Sequence, residues 1–501
     1  MKISFVVPVY RKKPEQLRKC LSSLFEQSHK NIEVVCVFDG PDSELEAVVA
    51  EFPAVIKKVV EHGGAPKARN AGLKEATGDA VCFWDADCYA VPEMVRTWVQ
   101  YFEDVSRPDF LYSGYKWSDP TKPGFESEPF NPWLLKKYNY ISTMSPIRKE
   151  KAIEWDETLV GLQDWDYFRR LVDSGARGMY VPCGHNAVAA GWETDFPDQD
   201  SISGVKNREK SVERINAVRE KHGDPKPDIL VYGTVMKHDA VNVARQLDAD
   251  YFNSAFWITR EYKACLMIGF NPFEMDQALS FAAASGPNSK KIIYWMGLDA
   301  ELVAQGPYSD VKKLAAGIKK HINVNLCPDV KTQSVLEDIG LKAEILMLPL
   351  ATGKVLTDMP TDFQVMVFSD NEYMPLADSI IKAMPDVEFD KFEEGKEYPY
   401  SKYSMVLYLV QDGRLMTPVR NMLIHGRHIV SNAQEPFAGY IDPSNITKFK
   451  EEAIARIREV QANHHFNKDA QDYYLDVMSV ERFKEQIMNY VNAPALEVIH
   501  A

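Results

Sequence analysis

The chain reads as an α/β protein built on doubly wound, Rossmann-like parallel sheets. Three observations predict this. Short apolar runs of strand length alternate with stretches of helical periodicity through the N-terminal part of the chain. Several of those runs end abruptly in polar residues, as where Val81-Cys82-Phe83-Trp84 gives way to Asp85-Ala86-Asp87. A glycine- and proline-bearing stretch, His222-Gly223-Asp224-Pro225-Lys226-Pro227, then separates this series from a second alternating one.

Bulk properties set the frame. At 501 residues the chain exceeds one ordinary core, so two or three domains are expected. Composition is that of a soluble globular protein, 45% hydrophobic and 26% charged, without a low-complexity tract. No apolar run approaches the length of a membrane span, and the N-terminal residues lack the long apolar region of a secretion signal. The 7 cysteines are scattered without a CxxC pair, which points to reduced thiols, a cytoplasmic location and no zinc site. A net charge of −14 argues against a general nucleic-acid coat, though a local basic groove stays open.

Taken in order, 3–9 is a buried strand with Pro8 and Tyr10 at its close. A helix follows at about 14–27, with Leu17, Leu21, Leu24 and Phe25 at helical spacing. Residues 32–38 form the next strand and end at Asp39-Gly40; 43–52 is helical and 56–61 returns to strand. The run His62-Gly63-Gly64-Ala65-Pro66-Lys67-Ala68-Arg69-Asn70-Ala71-Gly72 is a loop entering a helix, and 81–84 is the strand that ends in the acid pair. Ligands of doubly wound sheets bind beyond the carboxyl ends of the strands, which aims Tyr10, Asp39 and Asp85 at one crevice. Two carboxylates at the end of a buried strand repel each other and call for a compensating charge. Mg²⁺ or Mn²⁺ suits them, because both take hard oxygen ligands and keep positions open for phosphate. An acidic turn that merely ends the strand is the plainer alternative.

Pro8-Val9-Tyr10, Phe38-Asp39-Gly40, Ala68-Arg69-Asn70-Ala71-Gly72 and Asp85-Ala86-Asp87 together resemble, in order and spacing, the family 2 glycosyltransferases of GT-A fold, over about residues 1–190. The resemblance implies an inverting transferase with a nucleoside-diphosphate sugar donor. Its donor-site residues would be Pro8, Tyr10, Asp39, Arg69 and Asp85. Asp39 would hold the base, since a carboxylate accepts from a uracil N–H, and this favours UDP. Arg69 offers a fork of donors suited to phosphate or a carboxylate; a salt bridge at the sheet edge is its alternative, as a turn is for Asp39. Asp87 would be the direct metal ligand and Asp85 would hold ribose or a metal-bound water.

Transfer also needs a base for the acceptor's proton. The resemblance places it in an acidic pair downstream, matched here by Gln163-Asp164 at the start of a predicted helix. Asp164 is the candidate base, with Gln163 in place of the usual glutamate; a helix N-terminus by itself favours the ionised form. Asp164 and Asp166 would alternatively serve only to cap that helix. The family often adds a late histidine to the metal, and His185 in Pro182-Cys183-Gly184-His185 lies in that neighbourhood, although its spacing departs from the pattern. Trp117, Trp133, Tyr138 and Tyr140 lie where such enzymes build an acceptor wall, and aromatics there serve a core as readily as a sugar cleft.

Beyond the linker, runs near 229–232, 265–270, 291–295, 345–348, 363–368, 405–410 and 428–430 read as further strands. Two successive α/β halves of this size resemble the GT-B glycosyltransferases of family 4, on Tyr294-Trp295-Met296-Gly297-Leu298-Asp299, Leu346-Met347-Leu348-Pro349-Leu350 and Leu423-Ile424-His425-Gly426-Arg427. Arg420 takes the place of the glutamate that bonds donor ribose in active members, so the resemblance implies a module that has turned to acceptor or partner binding, with an active second transferase as the alternative. The expected organisation is a GT-A catalytic domain at 1–222, a GT-B-like N-terminal subdomain at 227–360 and a C-terminal one at 361–501. The last part, 445–501, is expected to be helical and to pack back over the module.

The function expected is metal-dependent, inverting transfer from a nucleotide-sugar to an acceptor hydroxyl. A glycan is the first acceptor to consider and a hydroxymethylated pyrimidine in DNA the second. A non-catalytic sugar-nucleotide or glycan binder is the competitor from another class.

Overall fold

The computed structural model describes residues 1–501 apart from 105, 118–123, 183–186, 190–207, 234–235, 272–273, 306–310, 350–354, 393–398, 411–416, 434–436, 438, 443 and 494–501. The chain divides into two units, Met1–Lys226 and Pro227–Ala501.

In the first unit, β1 (Ile3–Val9) is apolar on both faces and lies mid-sheet, as a continuous apolar run requires. Pro14 sits in the first turn of α1 (Pro14–Phe25), where a missing N–H costs nothing, and Leu17, Cys20, Leu21 and Leu24 form its buried stripe. Next come β2 (Ile32–Asp39), α2 (Ser43–Ala50), β3 (Val55–Val60), α3 (Ala65–Glu75) and β4 (Ala80–Phe83). The Asp42 side chain caps α2 by accepting from Leu45 N–H. After β4 the chain forms β5 (Cys88–Ala90), α4 (Met94–Phe102), β6 (Phe110–Tyr112), β7 (Tyr115–Trp117) and α5 (Pro132–Lys137). The unit ends with β8 (Ile147–Arg148), α6 (Gln163–Asp173), β9 (Gly178–Tyr180), β10 (Ala187–Ala189) and α7 (Arg208–Lys221).

The main sheet runs β3-β2-β1-β4-β8-β6-β9. Strands β1, β2, β3 and β4 are mutually parallel, with Ile3 opposite both Ile32 and Ala80. Phe5, Val7 and Val9 face α1 and α4 on one side, while Val35 and Val37 meet Ala68 of α3 on the other. Gly72 explains how closely α3 approaches: a Cβ there would lie 2.3 Å from Val6 Cγ1.

The sheet is mixed rather than wholly parallel. β8 runs antiparallel to both β4 and β6, and a small second sheet of order β5-β10-β7 pairs β10 antiparallel to β5. After β4 the chain turns through Asp85-Ala86-Asp87 directly into β5, which leaves the main sheet and joins the second one.

The second unit holds two wholly parallel sheets. One has the order β12-β11-β13-β14-β15-β16, from β11 (Ile229–Tyr232), β12 (Asp250–Tyr251), β13 (Ala264–Ile268), β14 (Lys290–Tyr294), β15 (Val324–Cys327) and β16 (Glu344–Ile345). The other is β18-β17-β19-β20, from β17 (Gln364–Ser369), β18 (Glu388–Lys391), β19 (Met405–Leu409) and β20 (His428–Ser431). Helices Ile446–Asn463, Lys468–Val477 and Val480–Asn492 end the described chain. The first packs Phe449, Ala453 and Ile457 on the β17–β20 sheet, and the last sets Phe483 against Tyr294 of β14. Among the described residues no helix is long and apolar enough to cross a membrane, and the described cysteines are free, buried thiols.

Candidate active site

Strand order reverses between β1 and β4, so the loops leaving their carboxyl ends diverge and open a crevice. β2 brings Asp39 to the same edge. The Asp39 carboxylate is 3% exposed and turned toward its own chain. It accepts from Gly63 N–H at 2.7 Å, Gly64 N–H at 2.9 Å and His62 Nδ1 at 2.9 Å. This pins the loop before α3, in which Gly64 has a φ of 90° that favours glycine. The His62 ring stacks on Tyr10, centroids 4.6 Å apart, and Tyr10 stays 41% exposed at the rim. Pro8 lies within β1 opposite Val37.

Asp85 and Asp87 leave the end of β4 together. Asp85 is half-buried, with 37% of its side chain meeting solvent. Desolvation raises its carboxyl above the usual range, with Asp87 adding to the shift and Arg69 and Lys12 opposing it. Lys12, from the loop after β1, places Nζ 2.6 Å from Asp87 Oδ2. Burial works to lower that ammonium, but the attraction of Asp87 and Asp85 outweighs it and the net direction is up.

The base candidate comes from the far side of the unit. Arg69 on α3 donates Nη1 to Gln163 Oε1 at 3.1 Å and Nη2 to Asp85 Oδ1 at 3.3 Å, with its guanidinium 4.5 Å from the Trp155 ring centroid. One side chain therefore ties the acid pair to the first residue of α6. Asn70, next along α3, clamps the preceding loop: Nδ2 donates to Trp155 O and Glu157 Oε1, both at 2.9 Å, and Oδ1 accepts Trp155 N–H at 2.7 Å. Leu162, just before α6, has a φ of 53°, a conformation bulky residues adopt only when the surroundings impose it. Asp164 follows, its carboxylate accepting Asn139 Nδ2 at 2.9 Å and Trp165 N–H at 2.9 Å. Desolvation raises its carboxyl despite those bonds and the nearby Arg69, so burial outweighs the helix N-terminus.

Residues 4–156 match the family model described as Glycosyl transferase family 2. The N-terminal unit carries a family 2 glycosyltransferase domain. Over 117 residues the chain is 38% identical to the amylovoran biosynthesis glycosyltransferase AmsE of Erwinia amylovora, covering 22% of this chain and 43% of that protein. It is 33% identical over 112 residues to the poly(ribitol-phosphate) beta-glucosyltransferase of Bacillus spizizenii, covering 21% and 18%. Glycosyltransferase GlyA of Streptococcus pneumoniae matches over 16% of its own length, so the chain spans less than half of AmsE and GlyA. Among solved structures, S. aureus TarS 1-349 in complex with UDP is similar at 20% identity and a TM-score of 0.36, covering 44% of this chain and 65% of that one.

Within the N-terminal unit, the crevice gathers Tyr10, Asp39, Arg69, Asp85 and Asp87 from the matched residues and Asp164 from beyond them, five separate segments in all. His185 lies outside the described residues. Among the described residues no group of three or more His, Cys, Asp or Glu is arranged to hold a metal ion. Tyr138 and Tyr140 are buried, and the Tyr140 hydroxyl bonds to Asn131 backbone; they belong to the core and not to a cleft wall. Lys12 and His62 are crevice residues to which the sequence assigned no role; Asn70, inside the Ala68-Arg69-Asn70-Ala71-Gly72 motif, and Asn139, in the stretch of the expected acceptor wall, had none of their own. Asn70 had the clearest signal, since a polar residue on the apolar face of a helix needs a partner.

Proposed function

We propose that this chain is an inverting glycosyltransferase that moves a sugar from a nucleotide-sugar, with UDP the favoured nucleotide, to an acceptor hydroxyl. The observation that carries the reading is the Arg69 bridge, which sets a desolvated carboxylate at the N-terminus of α6 beside an acid pair at the end of β4. Asp164 would take the acceptor's proton as its oxygen attacks the anomeric carbon and the nucleoside diphosphate leaves from the opposite side. A carboxyl raised by burial is a stronger base than an exposed one. Asn139, donating to one of its oxygens, would fix the carboxylate's direction.

The crowding that raises Asp85 beside Asp87 fits a hard divalent cation, Mn²⁺ or Mg²⁺, with these two residues as its protein ligands. Such an ion would supply charge stabilisation at the departing diphosphate. The poly(ribitol-phosphate) beta-glucosyltransferase among the relatives supports a polymeric polyol or saccharide acceptor over modified DNA. The two parallel sheets of the second unit support a GT-B-like pair of subdomains at 227–360 and 361–501, read as an acceptor- or partner-binding module.

The test is nucleotide release from a panel of UDP- and GDP-sugars with Mn²⁺, with saccharide, poly(ribitol-phosphate) or hydroxymethylated DNA as acceptor. Release should require one donor and one acceptor. It should fall about 10²–10⁴-fold in Asp164→Asn and be lost in Asp87→Ala. Release that survives both substitutions would move the chemistry out of this crevice, and donor binding without transfer to any acceptor would favour a binding protein.

A further inference from the structure

The loop after β1 carries a cation into the acid pair. β1 and β4 are parallel neighbours, so the segments beyond Val9 and Phe83 leave the sheet side by side. The chain turns at Arg11, with a φ of 46°, and the next residue reaches across. Lys12 Nζ stands 2.6 Å from Asp87 Oδ2, with 27% of its side chain and 19% of that of Asp87 exposed. This is not a solvated surface pair: the stem is mostly covered and the ammonium also feels Asp85. Among the described residues Asp87 is the one hydrogen-bond partner of that ammonium, which leaves two of its three N–H donors over.

An ammonium and a divalent cation on the same carboxylate oxygen exclude each other, because both need its lone pairs and repel at such distances. We propose that Lys12 is an internal competitor for the cation site that becomes a ligand of the donor's diphosphate. Before the donor binds, Lys12 occupies Asp87 and weakens metal binding. When a nucleoside diphosphate arrives, its phosphate oxygens give the ammonium a new partner, and Asp87 is released to the metal. Nucleotide and metal then favour each other's binding through Lys12 in addition to their direct contact. This inference rests on the crevice being the donor site.

The test uses the full chain and Lys12→Met, which keeps the stem and removes the charge. Mn²⁺ alone is titrated by electron paramagnetic resonance, and UDP by calorimetry in EDTA. The expected result is opposite in sign: Mn²⁺ binds about tenfold tighter and metal-free UDP about tenfold weaker, within the usual span of such couplings. Lys12→Arg, which restores a cation on a stem of similar reach, should return both affinities toward wild type. A merely structural lysine would weaken both ligands together, and that outcome overturns the proposal, as does unchanged Mn²⁺ affinity. If wild type binds no UDP while Mn²⁺ responds as expected, the competition stands and the donor-site reading falls.

Discussion

Asn70→Ala removes the clamp between α3 and the loop that leads to the base candidate. Asn70 is 5% exposed and makes three hydrogen bonds with that loop, two of them to the backbone of buried Trp155. Each net bond contributes about 1 kcal/mol, and a buried backbone group left unsatisfied costs about 1–3 kcal/mol. The bond to Glu157 is discounted because that carboxylate is exposed and water replaces the donor. The sum is about 3 kcal/mol, or roughly 6–12 °C in Tm for a unit of this size. Asn70→Asp keeps the acceptor for Trp155 N–H but turns a carboxylate oxygen toward Trp155 O and Glu157, so it should lose at least as much as Asn70→Ala. Urea and thermal melts of the full chain, followed by near-ultraviolet circular dichroism, measure both. A loss under about 1 kcal/mol in Asn70→Ala, or an Asn70→Asp variant as stable as wild type, would refute the clamp. Nucleotide release should fall with it, since the same loop delivers Asp164.

Asp166 has no exposed surface and faces Arg170, Lys221 and His222 at 2.8, 2.7 and 2.9 Å. Asp166→Asn should cost about 3 kcal/mol and release the end of α7, read as faster tryptic cleavage at Lys221. Glu33 accepts from Lys2 and twice from Thr77, as well as from Ser4. Burial works to raise its carboxyl, but those bonds outweigh it and hold it at about 2. Its stabilisation is present above the ordinary carboxylate range and lost as pH falls toward 2; Glu33→Gln should flatten the drop in Tm over that acid window. Gly72→Ala should destabilise by about 1–3 kcal/mol despite better helix propensity, because its methyl meets Val6. An unchanged melt would show that α3 shifts freely on the sheet.

Much of this molecule was legible without coordinates. Apolar runs over β1, β2 and β4 are buried on both faces, and nothing but a strand in a covered sheet accommodates them at that length. Their polar ends placed Tyr10, Asp39 and the acid pair at one edge, because side chains at the carboxyl ends of adjacent parallel strands must converge. The short strands β5 to β10 were not legible: two or three residues carry no periodicity, and pairing across distant sequence decides them. For the same reason β12 and β18, short edge strands with polar residues, left no apolar run to read. The sequence could name Arg69 and Asp164 separately, but it held no statement that α3 and α6 meet. That the Arg69 fork joins Asp85 to Gln163, that Lys12 rests on Asp87, and that Asp39 is spent largely on its own loop were decided by tertiary structure. These contacts depend on distance and desolvation between segments, quantities that a linear pattern of residues does not carry.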